Sequence, residues 1–162
     1  RSTVSKDGRG FSLKVAQLLR LSFVAIGLGG LILFLLSKFI INLMYGEAYT
    51  GSVMVLNILL PGVLLLTIFK VINMDLAGKG KPWVSLKAMI PALIINVILN
   101  IMFIPNYGAV GAAIASSISY TFASILFIFL YSREVKIPVL ELIMYKVSDF
   151  QPIIQILKKL KP

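Results

Sequence analysis

Apolar residues are grouped in four long runs along the 162-residue chain, with polar residues concentrated between them. A transmembrane helix needs about 20 mostly apolar residues, and each run is close to or above that length. The pattern predicts an all-α integral membrane protein with four transmembrane helices. We divide the chain into an interfacial N-terminal segment (1–20), a transmembrane region (21–134) and an amphipathic tail (135–162). The four runs cover about residues 21–45, 53–74, 88–104 and 109–131.

Positive charge alternates between successive connections. Lys and Arg are frequent in residues 1–20, in the segment Lys79–Lys87 and just after the fourth run, at Arg133 and Lys136. The connections 46–52 and 105–108 contain neither residue type. Because cytoplasmic loops are enriched in Lys and Arg, both chain ends and the Lys79–Lys87 loop are predicted to be cytoplasmic.

Composition agrees with a membrane environment. Hydrophobic residues make up 59% of the chain and charged residues only 14%, whereas soluble domains have roughly 25% charged residues. The net charge of +10 comes from Lys and Arg residues that lie mostly between the apolar runs and at the two ends of the chain. This placement favours anionic lipid headgroups over a nucleic-acid partner. There is no Cys and no His, and no carboxylate falls deep within a run. We therefore expect no cofactor, no metal and no enzymatic activity.

The two ends of the chain suggest different things. The sequence begins at Arg1 rather than Met and shows no signal peptide, so we interpret it as a fragment. In the tail, Pro138 suits a helix start, and apolar residues recur at helical spacing. Ser148 and Gln151 could form a capping box for a second short helix with a basic end. An interfacial helix is one interpretation, and a solvated tail is the other.

Several polar residues are candidates for a substrate cavity. Asn96 and Asn100 are four residues apart and share a helix face, where they could bind substrate or instead join neighbouring helices. Lys70 could attract a diphosphate as a point charge. Alternatively, its ammonium group reaches the headgroups, near Asp75. Arg20 has the same two interpretations, with its side chain expected at headgroup level.

Two further features concern helix geometry. Pro61 and Gly62 interrupt the second run and could act as a hinge. The fourth run contains a line of small residues that would let helices pack closely: Gly111, Ala115, Ser119 and Ala123.

Three connecting segments together resemble a known family. They are residues 45–49, residues 73–82 and the stretch Ile104-Pro105-Asn106-Tyr107-Gly108-Ala109-Val110-Gly111-Ala112-Ala113. They are similar to the C-terminal region of polysaccharide biosynthesis flippases, in the multidrug/oligosaccharidyl-lipid/polysaccharide exporter superfamily. The resemblance implies the last four helices of a two-lobe transporter with twelve to fourteen spans.

By this resemblance, the full protein would move a polyprenyl-diphosphate-linked oligosaccharide across the plasma membrane by alternating access. Its partners would be the bilayer, the lipid-linked substrate and the missing N-terminal lobe. A multidrug cation antiporter of the same superfamily and a free-standing four-span membrane protein are the alternatives.

Overall fold

The computed structural model describes the backbone of residues 2–150 and the side chains of residues 10–146, 149 and 150. This part of the chain is helical and contains no strand, which confirms the predicted all-α class. Three long helices, α1 (Ser2–Tyr45), α2 (Ser52–Gly78) and α3 (Trp83–Val135), are followed by the short α4 (Val139–Ile143). Single 3-10 turns, Glu47–Tyr49 and Val147–Phe150, follow α1 and α4.

Three helices are long and apolar enough to cross a membrane: Gly10–Tyr45, Ser52–Gly78 and Trp83–Val135. Helix α1 begins well before the predicted first run and is continuous through residue 20. The third and fourth predicted runs both belong to α3, which has 53 residues. The connection predicted at residues 105–108 is therefore not a loop. Helical geometry continues through Pro105 to Tyr107, and Gly108 is the residue that departs from it.

Helix α3 folds back on itself at Gly108. This residue has φ 53° and ψ −131°, a conformation that a side chain would strain. Lys81, just before α3, forms an ion pair with Glu134 at its other end. A Cβ on Gly111 would lie only 2.5 Å from the carbonyl oxygen of Phe103. The two halves of α3 therefore lie side by side, and the glycines permit the tight turn.

Helix α2 packs between α1 and α3, whose backbones seldom approach each other closely. The main apolar core lies among the helix ends that the charge pattern predicts to be cytoplasmic. Ile72, Leu76, Phe127 and Tyr131 are fully buried there. The rings of Phe69 and Phe127 stack there with centroids 4.1 Å apart. By contrast, large apolar side chains along α1 and the first half of α3 are exposed, as expected for surfaces that face lipid.

Helices α2 and α3 approach each other closely at Gly62. A Cβ on this glycine would lie 2.8 Å from the Cα of Ser117, so the two backbones are in contact. The Ser117 hydroxyl donates a hydrogen bond of 2.5 Å to the carbonyl of Ile58. Pro61 cannot donate a backbone hydrogen bond, yet α2 continues through it. The proposed hinge therefore coincides with the helix crossing.

The tail packs against the helices. Pro138 precedes α4, in agreement with the sequence analysis. However, Ile137 and Leu142 are the buried apolar residues of the described tail, whereas Leu140 and Ile143, which are among the residues that recur at helical spacing, are exposed. The tail thus uses a different face from the one that simple spacing indicates. The proposed capping box includes Gln151, which lies outside the described residues, as does the basic end of the tail.

Candidate substrate cavity

A cavity of about 440 Å³ lies between α2 and the two halves of α3. Its wall is mostly apolar, and polar groups come from a small number of side chains. The fold-back at Gly108 brings these groups together, because residues near 92 then face residues near 120. The polar side chains are Lys70, Asn96, Ser119 and Tyr120, and the apolar wall includes Leu66, Phe69, Met89 and Leu93.

Lys70 contributes the positive charge at this cavity. Its side chain is exposed, and none of the described ion pairs includes it. Asp75, near which the headgroup interpretation placed the Lys70 ammonium, instead accepts from Lys79 Nζ at 2.6 Å. Lys70 is thus available to an anionic group in the cavity or at its mouth.

Asn96 and Asn100 are hydrogen-bonded to each other, as their spacing suggested. The Asn100 amide Nδ2 donates to Asn96 Oδ1 at 2.9 Å. Only Asn96 lines the cavity. Both side chains are half-buried, and the bond fixes the orientation of the Asn96 amide, whose NH₂ group remains able to donate. Asn100 is therefore placed to support Asn96 rather than to contact the cavity.

The line of small residues on α3 forms part of the same wall. Gly111, Ala115, Ser119 and Ala123 are all buried. Ser119 donates to the carbonyl of Ala115 at 2.7 Å, within its own helix. Ser119 and Ala123 also line the cavity. Small side chains thus bring the halves of α3 together and leave room beside them.

A buried carboxylate that the sequence analysis did not single out joins the three long helices. Asp75 is only 1% exposed. Its Oδ2 accepts hydrogen bonds from Ser12 on α1 at 3.2 Å and from Tyr131 on α3 at 2.5 Å, besides the bond from Lys79. Its other oxygen, Oδ1, is buried without a hydrogen-bond partner among the described residues. The sequence places Asp75 near the end of an apolar run but does not show which elements cover it.

Arg20 is buried against the tail and does not line this cavity. The side chain is 5% exposed, and its Nε and Nη2 donate to the two carboxylate oxygens of Asp149, both at 2.7 Å. Nη1 donates to the carbonyls of Glu141 and Leu142 at 3.0 and 3.1 Å. The hydrogen bond from Arg20 holds the pKa of Asp149 below its usual range, although burial acts in the opposite direction. The sequence feature closest to predicting this contact was Asp149, one of two acidic residues in a mostly basic tail.

Within the residues that the structure describes, no three His, Cys, Asp or Glu side chains are grouped as a metal site would require. The polar groups of the cavity are an amine, an amide and hydroxyls. Such groups can bind an anionic or hydroxyl-rich ligand by charge and hydrogen bonds.

Comparison with known proteins gives a match over nearly the whole chain. The sequence model of a family described as "Lipid II flippase MurJ" matches residues 1–157. A probable low-salt glycan biosynthesis flippase, Agl15 of Haloferax volcanii, is 29% identical over 87 residues, covering 54% of this chain and 18% of that protein. An uncharacterized membrane protein of Methanocaldococcus jannaschii, MJ1068, is 33% identical over 81 residues, covering 50% and 16%.

The matched segments span less than a fifth of the length of these two relatives. No solved structure matches the chain significantly. The flippase relationship expected from the three connecting segments is confirmed by the family match.

Proposed function

Because the chain belongs to the lipid II flippase MurJ family, we propose that it forms the C-terminal four-helix part of a flippase that moves a polyprenyl-diphosphate-linked oligosaccharide across the plasma membrane. The family and the long apolar helices identify a multi-pass protein of the plasma membrane. The relatives are several times longer than the matched segments, which supports a larger transporter with a second lobe.

The fold-back of α3 supports four membrane crossings. A straight helix of 53 residues would be about 80 Å long, far more than the roughly 30 Å hydrocarbon core of a bilayer. Two crossings joined at Gly108 fit that thickness. With the basic loop Lys79–Lys87 in the cytoplasm, both chain ends are cytoplasmic and the Gly108 turn faces outward. The boundaries 1–20, 21–134 and 135–162 describe the resulting segments.

The cavity beside Lys70 is the observation that carries the proposed substrate class. Its mostly apolar wall suits a hydrocarbon chain, and Lys70 supplies one positive charge for a diphosphate. Asn96 and Tyr120 can donate hydrogen bonds to phosphate or sugar oxygens. These residues form one side of a site, and the other lobe would supply the opposite side.

Alternating access provides the transport step. The lobes would rock about a site near the midplane and expose it to each side of the membrane in turn. The α2–α3 crossing at Pro61 and Gly62 is the candidate hinge, because the backbone bond missing at Pro61 permits bending beside a close contact. No step of this cycle requires a chemical change in the substrate.

Substitution of Lys70 in the full-length protein tests the role of its charge. We expect Lys70→Gln to reduce transport at least tenfold, about the effect of losing 1.4 kcal/mol of interaction, without lowering membrane abundance. Lys70→Arg should retain most activity. The measurement is accumulation of the lipid-linked precursor on the cytoplasmic side, together with surface glycan, in cells that depend on the variant.

Lys87→Gln is the matched control, since this exposed lysine lies near the start of α3, just after the connection that follows α2, but does not line the cavity. Unchanged transport by Lys70→Gln would contradict the proposed role of Lys70. Normal precursor flipping combined with altered drug resistance after deletion of the gene would favour the multidrug antiporter.

A further inference from the structure

We propose that Arg20 is a positioning residue, which clamps the tail segment Ile137–Phe150 across the gap between α1 and α3 and thereby fixes the cytoplasmic half of α1. We call this tail segment the strap. The inference concerns how the helices are held together, and its measurement does not depend on the identity of the substrate.

The backbones of α1 and α3 stay apart, although Leu19 of α1 and Tyr131 of α3 belong to the same buried core. Helix α2 lies between them, and an apolar cavity of about 270 Å³ separates their facing side chains near Arg20. Phe23 of α1 and Ile125 of α3 lie on its wall, and Leu142 and Tyr145 of the strap also line it. Where a direct contact would otherwise lie, the strap bridges the two helices.

The strap is anchored at both of its ends. At its start, it continues directly from α3, and the Ser132 hydroxyl donates to the carbonyl of Ile137 at 2.6 Å. Ile137 and Leu142 are buried in the main core. At its far end, Arg20 binds both oxygens of Asp149, and Gln17 Nε2 donates to the Asp149 carbonyl at 3.1 Å.

All three side-chain nitrogens of Arg20 donate hydrogen bonds to the strap. A planar fork can bind a carboxylate through two parallel hydrogen bonds and still donate elsewhere. Here the additional donors reach the carbonyls of Glu141 and Leu142, near the end of α4, where helix carbonyls lack internal partners. One arginine side chain therefore orients two separate parts of the strap. A lysine has no planar fork and could not reproduce these hydrogen bonds in the same geometry.

The Asp75 cluster provides a second connection between the same helices, through Ser12 on α1 and Tyr131 on α3. Ser12 lies about two turns before Arg20 along α1, roughly 12 Å away at 1.5 Å per residue. The Asp75 cluster holds α1 near Ser12, and the strap holds α1 two turns later, near Arg20. Each connection can therefore be tested without removing the other.

Distances between spin labels in the full-length protein test the proposal. These 162 residues contain no cysteine, so cysteines can be introduced at chosen positions for labelling. Any cysteine in the rest of the full-length protein is first replaced. One label replaces Leu18, which is exposed on α1, and the other replaces Arg133, which is exposed on α3. We expect a narrow distance distribution in the parent protein and a broader one shifted to longer distances in Arg20→Gln.

Three variants separate a positioning role from a general loss of stability. Arg20→Lys keeps the charge but not the fork and should broaden the distribution like Arg20→Gln. Asp149→Asn, which retains the bonds from Arg20 to the two carbonyls, should broaden it less and remains informative if Arg20→Gln does not fold. Asp149→Glu retains a carboxylate, and its distance distribution should stay as narrow as that of the parent protein.

Two controls complete the experiment. Glu134→Gln removes a more exposed ion pair at the same end of the bundle and should leave the Leu18–Arg133 distribution unchanged. Labels at Ala77 and Arg133 report on the directly packed helices α2 and α3, and Arg20→Gln should not alter them. An unchanged Leu18–Arg133 distribution in folded Arg20→Gln, or a narrow one in Arg20→Lys, would overturn the proposal.

Discussion

Arg20 and Asp75 are charged residues whose surroundings differ from those expected near a membrane surface. Both are buried, and both connect elements that are distant in sequence. A buried charge is tolerated when it is paired and its remaining hydrogen-bonding groups are satisfied. Each side-chain nitrogen of Arg20 donates at least one hydrogen bond, whereas Asp75 has one oxygen without a described partner. Their roles depend on these partners, which residue identity alone does not reveal.

Asp149 should make the strap sensitive to acid. Since Arg20 lowers the folded-state pKa of Asp149, the carboxylate stabilises the strap fully above its unfolded pKa of about 3.9. The stabilisation should decline as pH falls below that value through the lower folded pKa. Hydrogen exchange of the Val139–Ile143 amides in the full-length protein, corrected for intrinsic rates, measures this effect.

Asp149→Asn is the control for this pH dependence, because it retains the side-chain shape without the titrating group. Protection in Asp149→Asn should be lower than in the parent protein at neutral pH, and the difference should shrink on acidification. A difference that stays constant from pH 6 to pH 3 would contradict the ion-pair explanation.

The Asp75 cluster should contribute measurably to stability. Asp75→Asn removes the charge that Lys79 and the Tyr131 hydroxyl contact, and we expect a cost of about 1–3 kcal/mol. Glu134→Gln breaks a more exposed pair and should cost no more than about 1 kcal/mol. Thermal unfolding of both full-length variants in detergent provides the comparison. Equal midpoints would show that burial of Asp75 adds nothing.

At the scale of elements, glycines determine how closely the helices pack. Gly62 permits contact between α2 and α3, while Gly111 permits contact between the two halves of α3. The sequence analysis assigned Gly111 to close packing, and the structure gives its neighbour as the backbone of Phe103. That backbone belongs to the same helix, so the contact also stabilises the turn at Gly108.

Gly111→Ala should therefore destabilise the fold-back of α3. The added methyl group would lie 2.5 Å from the Phe103 carbonyl oxygen, and a backbone atom cannot move aside as a flexible side chain can. We expect a cost of about 1–3 kcal/mol, typical of overpacking. Gly10→Ala is the control, because nothing lies within 4 Å of the added Cβ. The two variants should differ in unfolding midpoint, and identical midpoints would contradict the close approach.

Much of the element level could be predicted from the sequence. Hydrophobic length indicated the long helices, and the residues before Gly108 indicated the place of the turn. The extension of α1 to Ser2 and the face of the tail were less accessible, because they depend on tertiary contacts rather than on local pattern. Leu142 is buried because α4 packs on α1 and α3, while Leu140 points away.

At the scale of the molecule, the cavity and the exposed surfaces support the proposal that this chain is part of a larger transporter. The sequence suggested Lys70 and Asn96 separately, and the fold-back of α3 places both on one cavity. Asn100 could not be separated from Asn96 by spacing alone, since both share a helix face. The family could be anticipated from connecting segments because turns keep specific residues that lipid-facing helices do not require.

Arg20 and Asp149 are separated by 129 residues, which has a consequence for synthesis of the chain. At 5–20 residues per second, a ribosome needs roughly 6 to 26 seconds to progress from one to the other. Until the tail has been synthesised, Arg20 lacks the carboxylate and the carbonyls that it binds in the folded structure. The contact between Arg20 and Asp149 therefore forms late in assembly of the chain.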